Sequence, residues 1–371
     1  MNRTESSPPG IMGVYGSKIS YYTGKFETYL RYRGIDYESF PTVAHSKKLI
    51  EGVGIVQMPV VQLADGRWMT DTTPMIAWLE TQQTAPSIYP ENPLLRFVAL
   101  LIEDYADEWL WRSAMHYRWS YRLSRQYAAE FLYAELVRGT LPLPRFLAIN
   151  MLKRRQLFGF VWRDGVHKRS RQHADQTYLA ALDCLQAIFE HRPFLLGQTP
   201  TIADFGMMAP MFRHFSQDPT PAEIMRERAP LVYEWVTRMW TAKPTNEATD
   251  LIEKLDLPII ALLNEISQTL MEQHRQNALA YSAGRPRYDL AIQSFSYPKV
   301  PTSRYRVWCL EALREVWQIL PDDARQSLDE CVKGQFSELL SDQFSFRPSE
   351  YDSERQAPFN RAINVFKNGV P

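Results

Sequence analysis

The chain has 371 residues with 42 basic and 42 acidic side chains, so its formal net charge is zero. A net charge of zero gives no overall field that would attract nucleic acid or an anionic membrane, and neither is expected as a partner. Hydrophobic residues make up 45% of the sequence and charged residues 23%, which excludes wholesale disorder. This length predicts a globular protein of about two to three domains.

Three further features of the sequence concern its cellular environment. Cys184, Cys309 and Cys331 lie far apart and lack the close spacing of zinc sites or redox motifs, so free thiols in a reducing compartment are expected. Residues 1–11 predict a disordered tail, and they lack the apolar core of a secretory signal. The sequence contains no run of about eighteen apolar residues that would span a membrane. We therefore expect a cytoplasmic protein.

Residues 12–83 alternate between strand-like and helix-like patterns. The predicted elements are a strand at 11–14, a helix at 21–33, a second strand at 36–43 parallel to the first, a hairpin with strands at 58–63 and 67–70, and a helix at 72–80. Gly34 follows the first helix as a terminator, and Asp65-Gly66 forms the hairpin turn. A polar stretch with His45, Lys47 and Lys48 separates the second strand from the hairpin. The order β-α-β-ββα indicates an α/β domain.

Residues 84–95 contain three prolines and predict a linker, after which the pattern is helical almost throughout. Helices are predicted at 95–125, 127–137, 172–190, 203–215 and 231–241. Thr201 and Asp204 have the spacing of a capping box at the start of one of these helices. Residues 96–250 are therefore predicted to form an all-helical domain.

Residues 251–371 form an extension beyond these two domains. Helical patterning continues to residue 283, where Gly284-Arg285-Pro286 interrupts it, and a short hairpin is predicted at 288–300. Two more helical segments, at 305–319 and 323–340, precede a polar tail. An extension of this length is large enough to cover part of the protein.

The element order, together with Met58-Pro59, Asp71-Thr72 and the Thr201-Ile202-Ala203-Asp204 run, resembles the glutathione S-transferase family over roughly residues 12–250. The resemblance implies a thioredoxin-like, glutathione-binding domain followed by an all-α domain. It implies that the Met58 backbone pairs with the cysteine of glutathione, that Pro59 is cis and shapes the site, and that Asp71 and Thr72 hold the γ-glutamyl end. Gln57 is a further candidate contact, and Thr201 with Asp204 corresponds to a buried cap that serves folding.

Four hydroxyl groups are candidates for activating the glutathione thiol. Because a free thiol has a pKa near 8.5, the site must stabilise the thiolate, and a hydroxyl donor at a helix N-terminus does so. Ser20 has the position of the activating serine or cysteine in the family; its alternative role is a plain helix N-cap. Tyr15 is a second candidate that also fits a packing residue, and Tyr21 is a third that also fits a pocket-lining role. Ser17 is a weaker fourth.

The absence of cysteine at Ser20 argues against disulfide exchange, which needs a protein sulfur there. A helical stripe of Trp111, Met115 and Trp119 suits a flat, apolar second substrate, although such a stripe also fits simple core packing. Lys47 and Lys48 fit either the glycyl carboxylate of glutathione or solvated loop charges. His116 has no neighbours at metal-ligand spacing, so no metal is predicted.

The sequence therefore predicts a homodimeric transferase that uses glutathione as co-substrate and a small hydrophobic electrophile as second substrate. Two alternatives stay open at this point. The chain also fits a non-catalytic glutathione-binding or regulatory protein that retains the fold, because fold does not determine function. It equally fits a glutathione-dependent isomerase or ether-cleaving enzyme, because both use the same activated thiolate.

Overall fold

A computed structural model of the chain describes residues 11–138, 143–245, 250–332 and 335–362. The predicted tail at 1–11 lies, apart from Ile11, outside the described residues. Within the described ranges, no helix is long and apolar enough to cross a bilayer.

The N-terminal part of the chain folds around a four-stranded mixed sheet. Its strands are β1 (Met12–Gly16), β2 (Tyr37–Pro41), β3 (Val60–Gln62) and β4 (Trp68–Thr70), and its helices are α1 (Tyr21–Arg33), α2 (Ser46–Val53) and α3 (Thr72–Glu80). The strand order is β2-β1-β3-β4, with β2 parallel to β1 and β3 antiparallel to both β1 and β4. The predicted parallel pairing and the hairpin are confirmed, and the arrangement is thioredoxin-like.

The ends of α1 follow directly from its sequence. Ser20 has an extended backbone and its side chain accepts a hydrogen bond from the Thr23 N–H, so it is the N-cap. Gly34 adopts a left-handed conformation with φ of 67°, which a residue without a Cβ reaches at little cost, and it ends the helix. The bounds predicted for this helix are confirmed.

Helix α2 is missing from the sequence prediction, which treated its residues as a polar stretch. Only Leu49 and Val53 are buried within its eight residues, so the apolar pattern is too short to be recognised. Those two side chains pack with Tyr15, Phe40 and Val60 in a small core on one face of the sheet.

The next part of the chain is helical. Its helices are α4 (Pro93–Asp104), α5 (Leu110–Ser120), α6 (Arg122–Leu132), α7 (Arg145–Gln156), α8 (Arg171–Phe189), α9 (Ile202–Pro210), α10 (Pro219–Arg228) and α11 (Pro230–Thr241). π-helical turns join α4 to α5 at Tyr105–Trp109 and extend α6, α7 and α9 at Tyr133–Val137, Leu157–Trp162 and Met211–Phe215. The predicted single helix at 95–125 is wrong, because Tyr121 adopts an extended backbone. Helices α7 and α10 were not predicted.

Helix α9 lies at the centre of the helical part, and Asp204 holds its N-terminus. Asp204 accepts hydrogen bonds from the backbone N–H groups of Thr201 and Leu195, both at 2.9 Å. Its side chain is fully buried, and the capping box predicted from the sequence is confirmed. Gly206 lets α9 lie close to α4, since a Cβ at this position would be 2.7 Å from the Glu103 Cα.

The extension adds a further helical layer and a hairpin. Its elements are α12 (Leu257–Ile266), α13 (Glu272–Ser282), β5 (Arg287–Ile292), β6 (Phe295–Pro301), α14 (Arg304–Gln318), α15 (Asp322–Val332) and α16 (Gln335–Leu340), with a π-helical turn at Ser267–Met271 between α12 and α13. The predicted hairpin is confirmed. The helix predicted at 323–340 corresponds to α15 and α16, and residues 333–334 between them lie outside the described residues.

The extension contacts both preceding parts of the chain. The Thr70 N–H of edge strand β4 donates to the Pro358 carbonyl at 3.0 Å, so the C-terminal segment continues the edge of the sheet. The Trp317 ring of α14 lies edge-on to Phe97 of α4, with centroids 5.3 Å apart. The extension is therefore packed against the sheet and the helical part rather than separate from them.

Candidate functional site

A cavity of about 660 Å³ lies between the sheet-containing part, the helical part and the extension. Its volume is within the range of small-molecule sites, which is roughly 300–1,000 Å³. The predicted site residues that line it are Ser20, Tyr21, Gln57, Met58, Pro59, Asp71, Thr72, Trp111, Met115 and Trp119. Tyr15 is the predicted site residue that the cavity does not include.

One end of the cavity is formed by the start of α3 and the segment before β3. The Met58–Pro59 peptide bond is cis, as the resemblance implies. Thr72 is the first residue of α3 and is buried, and Asp71 is its N-cap with an unusual φ of 70°. The α3 N-terminus therefore presents backbone amides, the Thr72 hydroxyl and a carboxylate to the same end of the cavity.

The Asp71 carboxylate is incompletely satisfied. Its Oδ1 accepts a hydrogen bond from the Thr73 N–H at 3.3 Å, whereas Oδ2 is buried and has no partner of good hydrogen-bond geometry in the described part of the chain. Burial raises the pKa of Asp71 to about 7, although the Tyr305 hydroxyl and the Lys25 ammonium act in the opposite direction. A buried acceptor without a partner is costly, and a cationic ligand group would relieve that cost.

Beneath Asp71 lies a buried ion-pair network between α1 and the α4 segment. Lys25 is fully buried and contacts Glu103 and Asp107, each at 2.5 Å. The two carboxylates outweigh the burial of the ammonium and raise the Lys25 pKa. Glu103 also accepts a hydrogen bond from the Thr73 hydroxyl of α3. The network ties the start of α3 to the helical part at this end of the cavity.

The candidate activating hydroxyls differ in what they contact. Ser20 is half-buried and lines the cavity, and its hydroxyl oxygen accepts the capping bond from Thr23 at 3.4 Å. In the described part of the chain the Ser20 hydroxyl donates to no acceptor. The Ser17 hydroxyl, by contrast, donates to Glu135. Ser20 therefore combines the N-cap role with a hydroxyl proton that remains available at the cavity.

Tyr21 lines the cavity, but its hydroxyl is already used. It donates to the Ala106 carbonyl, and the neighbouring Tyr22 hydroxyl donates to the Asp107 carbonyl at 2.9 Å. Burial and the nearby Asp107 and Glu108 raise the pKa of Tyr21 well above its usual value of 10.0. The phenol stays protonated, and its proton is committed to the backbone.

Tyr15 has the second of the two roles predicted for it, that of a packing residue. Its side chain is only 1% exposed and belongs to the small core with Phe40 and Leu49. Its hydroxyl accepts a hydrogen bond from the Lys48 ammonium at 2.5 Å. Because β1 points Tyr15 towards α2 rather than the cavity, the predicted catalytic role of Tyr15 is not supported, and Lys48 is occupied in the same contact.

Aromatic side chains form the opposite wall of the cavity. Trp111 is half-buried and stacks on Tyr22 with ring centroids 5.6 Å apart, while Met115 and Trp119 are buried behind it. All three members of the predicted stripe line the cavity and also pack into the main core. The stripe can therefore contribute both to the wall of a substrate site and to core packing.

The cavity wall contains polar atoms that the sequence prediction missed. His214, in the turn after α9, is 1% exposed and lies edge-on to Tyr21 at a centroid distance of 5.2 Å. Burial and the Arg118 guanidinium lower its pKa well below 6.5, so its imidazole is neutral. The Trp119 Nε1–H is buried without a partner in the described part of the chain. His214 is an isolated histidine in a helical segment, and nothing in the sequence around it indicates that it lines a cavity.

The extension supplies the remaining wall, through Tyr305, Arg306 and Tyr351 among others. Arg306 of α14 donates to the Glu108 carboxylate at 2.9 Å, and His274 of α13 contacts Asp104 at 2.7 Å. These contacts join the extension to the α4 segment beside the cavity. The length of the extension predicted that it covers part of the protein. It did not predict that the extension contributes residues to the cavity.

No group of three or more His, Cys, Asp or Glu side chains in the described ranges is arranged to hold a metal ion. His116 instead contacts Ser120 at 2.8 Å and Asp175 at 3.2 Å.

Comparison with known proteins gives two family matches. Residues 14–87 match the N-terminal domain of glutathione S-transferase, and residues 167–238 match its C-terminal domain. No curated protein matches the chain.

Several solved structures are similar to the chain. A Tau class glutathione S-transferase from mango, Mangifera indica, has 16% sequence identity and a TM-score of 0.42, over 62% of this chain and 89% of that one. A glutathione S-transferase from Rhodospirillum rubrum has 18% identity and a TM-score of 0.42, over 67% and 95%. A beta-etherase from Sphingobium has 18% identity and a TM-score of 0.43, over 62% and 94%. On these two matches, residues 14–87 and 167–238 belong to the N-terminal and C-terminal domain families of glutathione S-transferase.

Proposed function

We propose that the chain binds glutathione in this cavity and stabilises its thiolate for attack on a hydrophobic electrophile. The observation that carries the proposal is the buried Asp71 Oδ2, which lies at the N-terminus of α3 and lacks a hydrogen-bond partner of good geometry among the described residues. The γ-glutamyl end of glutathione has an ammonium that would pair with Asp71. It also has a carboxylate that would bind the Thr72 hydroxyl and the α3 amides, because helix N-termini favour anions.

The proposed position of the sulfur is beside Ser20. The cysteinyl backbone of glutathione would pair with the Met58 backbone, which directs the thiol towards the start of α1. There the Ser20 hydroxyl proton and the positive end of the helix dipole would stabilise the thiolate. Tyr21 and Ser17 are less suited, since both hydroxyls donate to protein acceptors.

The second substrate is proposed to be a flat, apolar electrophile bound against Trp111 and Tyr22. The thiolate would form a sulfur–carbon bond, and the electron pair would leave with a departing group or be protonated on the adjacent atom. With serine at position 20, the protein offers no sulfur for a mixed disulfide, which favours transfer over disulfide exchange.

The proposed domain boundaries follow the same interpretation. Residues 12–83 would be the glutathione-binding domain, residues 84–95 the linker and residues 96–250 the helical domain, with residues 251–371 as the covering extension. Homodimerisation and a cytoplasmic location remain predictions.

Calorimetry with glutathione, followed by a turnover assay with a generic aromatic electrophile, tests the proposal. We expect saturable binding in the micromolar to millimolar range and formation of the conjugate. Binding without turnover on a panel of aromatic and ether substrates would favour a regulatory glutathione-binding protein. Ether cleavage without conjugation would favour the ether-cleaving alternative. Absence of binding at millimolar glutathione would contradict the proposal.

A further inference from the structure

Residues 143–171, comprising α7 and the segment that follows it, form a surface unlike the rest of the protein; we refer to it as the α7 surface. Of the 13 large hydrophobic side chains that are exposed in the described part of the chain, six lie within residues 143–162. Phe146, Phe158 and Trp162 are 65%, 52% and 43% exposed. Such a concentration of exposed aromatic residues marks an interaction site.

The apolar side chains share one face of the helical segment. Leu147, Met151, Phe158 and Trp162 are spaced by four, seven and four residues, which is helical periodicity. The Phe158 and Trp162 rings are in contact, with centroids 4.4 Å apart. The segment is anchored to the protein by another face, which buries Ala148, Ile149 and Leu152. The exposed apolar face is therefore additional to the one that packs into the fold.

Positive charge is concentrated in the same segment. Residues 143–171 contain eight Lys or Arg side chains and one acidic residue, Asp164, whereas the whole chain has a net charge of zero. Arg154, Arg155, Lys168 and Arg169 are exposed. A net charge of zero predicts no anionic membrane partner, but the positive charges are clustered on this surface of the fold.

The combination of positive charge and exposed apolar side chains distinguishes between three classes of partner: a second copy of the chain, a nucleic acid and an anionic bilayer. A second copy docked by two-fold symmetry would bring these cationic segments together, and like charges across an interface are unfavourable. A nucleic acid would match the charge but not the row of Leu, Met and Phe side chains. A helix with an apolar aromatic face flanked by Lys and Arg is typical of segments that lie in the interface of anionic bilayers.

We propose that the α7 surface binds peripherally to the surface of a bilayer that contains anionic lipid. The exposed rings would enter the headgroup and acyl boundary, and the cations would contact lipid phosphates. The inner side of the same segment lines the cavity through Gln156, Gly159 and Phe160. Binding in this orientation would bring the cavity close to the bilayer, where apolar compounds are concentrated. Lipid binding itself does not depend on the proposed glutathione chemistry.

Co-sedimentation of the full chain with vesicles tests this proposal. Vesicles of phosphatidylcholine with phosphatidylglycerol should bind the protein at least about tenfold better than vesicles of phosphatidylcholine alone, and high salt should weaken the binding. The double variant Phe158→Ser/Trp162→Ser should lose about tenfold or more in partitioning. Lys168→Gln/Arg169→Gln should weaken binding to the anionic vesicles and leave the low binding to neutral vesicles unchanged.

The matched control removes exposed apolar side chains elsewhere. Leu257 and Ile319 are 80% and 76% exposed and lie outside the α7 surface, so Leu257→Ser/Ile319→Ser should bind vesicles like the wild type. Circular dichroism should show that each variant is folded, because the substituted side chains are at the surface. Lack of binding to anionic vesicles would overturn the proposal. An equal loss of vesicle binding in the control variant and in Phe158→Ser/Trp162→Ser would also overturn it. A dimer that Phe158→Ser/Trp162→Ser dissociates, without vesicle binding, would assign the surface to self-association instead.

Discussion

Ser20 serves two purposes at one position, because its hydroxyl oxygen caps α1 while its hydroxyl proton remains available to the cavity. The two roles are separable by substitution. Glycine is tolerated at an N-cap with a loss of only a few tenths of a kcal/mol, whereas alanine costs about 1 kcal/mol. Both substitutions remove the hydroxyl, so their effects on activity and stability should diverge.

We predict that Ser20→Ala and Ser20→Gly both lower turnover by about 100-fold, the order of magnitude for loss of one donor to a developing or stabilised anion. Only Ser20→Ala should also lower the free energy of unfolding by about 1 kcal/mol. Steady-state kinetics and urea unfolding measure the two quantities. Tyr15→Phe is the matched control for removing a hydroxyl, and it should retain wild-type turnover because that hydroxyl faces Lys48. Full activity in Ser20→Gly would reassign the thiolate donor.

Asp71 gives the site a pH dependence whose sign follows from its burial. In the empty protein burial raises its pKa to about 7, so a fraction of the molecules is protonated there at neutral pH. Pairing with the ammonium of a ligand lowers that pKa, so binding should release protons near pH 7. The affinity for glutathione should fall as the pH decreases below 7, and the decrease should approach about tenfold per pH unit.

Calorimetry with S-methylglutathione in buffers of different ionisation enthalpy measures this proton release, because the ligand has no thiol to contribute. Asp71→Asn should abolish the release and weaken binding by about 10- to 100-fold, the value of a charge-assisted hydrogen bond. Asparagine keeps the acceptor for the Thr73 N–H and tolerates the positive φ, so the start of α3 should be preserved. Proton release of the same size in Asp71→Asn would show that another group titrates.

At the scale of elements, α14 is attached to the helical part through a buried ion pair. Arg306 and Glu108 have side chains only 10% and 13% exposed, and burial raises the pKa of Glu108 while Arg306 lowers it. Removing one partner of such a pair leaves an uncompensated charge, which costs roughly 3–5 kcal/mol. We therefore predict that Arg306→Met destabilises the fold by about 3 kcal/mol at pH 8, measured by urea unfolding.

The destabilisation of Arg306→Met should be smaller at pH 5, because an unpaired Glu108 has its pKa raised further and takes up a proton as the pH decreases. The double variant Glu108→Gln/Arg306→Met removes the charge and should recover most of the loss. A loss of unfolding free energy in Arg306→Met that is independent of pH would show that packing rather than charge holds α14. A loss that the double variant does not recover would show the same.

The elements that the sequence did not reveal have physical explanations. Helix α7 has apolar residues on its exposed face as well as its buried one, so no single amphipathic stripe stands out. Helix α10 contains Pro219 and Pro221, which suggest a loop but are tolerated in a first turn. The break at Tyr121 lacks the glycine or proline that would mark it. The capped helix α1 and the Asp-Gly hairpin, in contrast, carry local signals and were predicted.

At the scale of the whole molecule, the two-part plan could be predicted and the closure of the site could not. Met58, Asp71 and Thr72 belong to segments with recognisable order and spacing, and they line one cavity. Tyr305, Arg306 and His214 reach the same cavity from elements distant in sequence. Contacts of that kind depend on tertiary packing, and nothing in the local sequence pattern around these three residues indicates them.

The central claim is that this cavity binds glutathione and stabilises its thiolate beside Ser20. The most direct measurement is a pH titration of the ultraviolet thiolate absorbance of the protein saturated with glutathione. The account predicts an inflection at least about one pH unit below the value near 8.5 of a free thiol, and a return towards that value in Ser20→Gly. An inflection at or above the free-thiol value in the saturated wild type would contradict it.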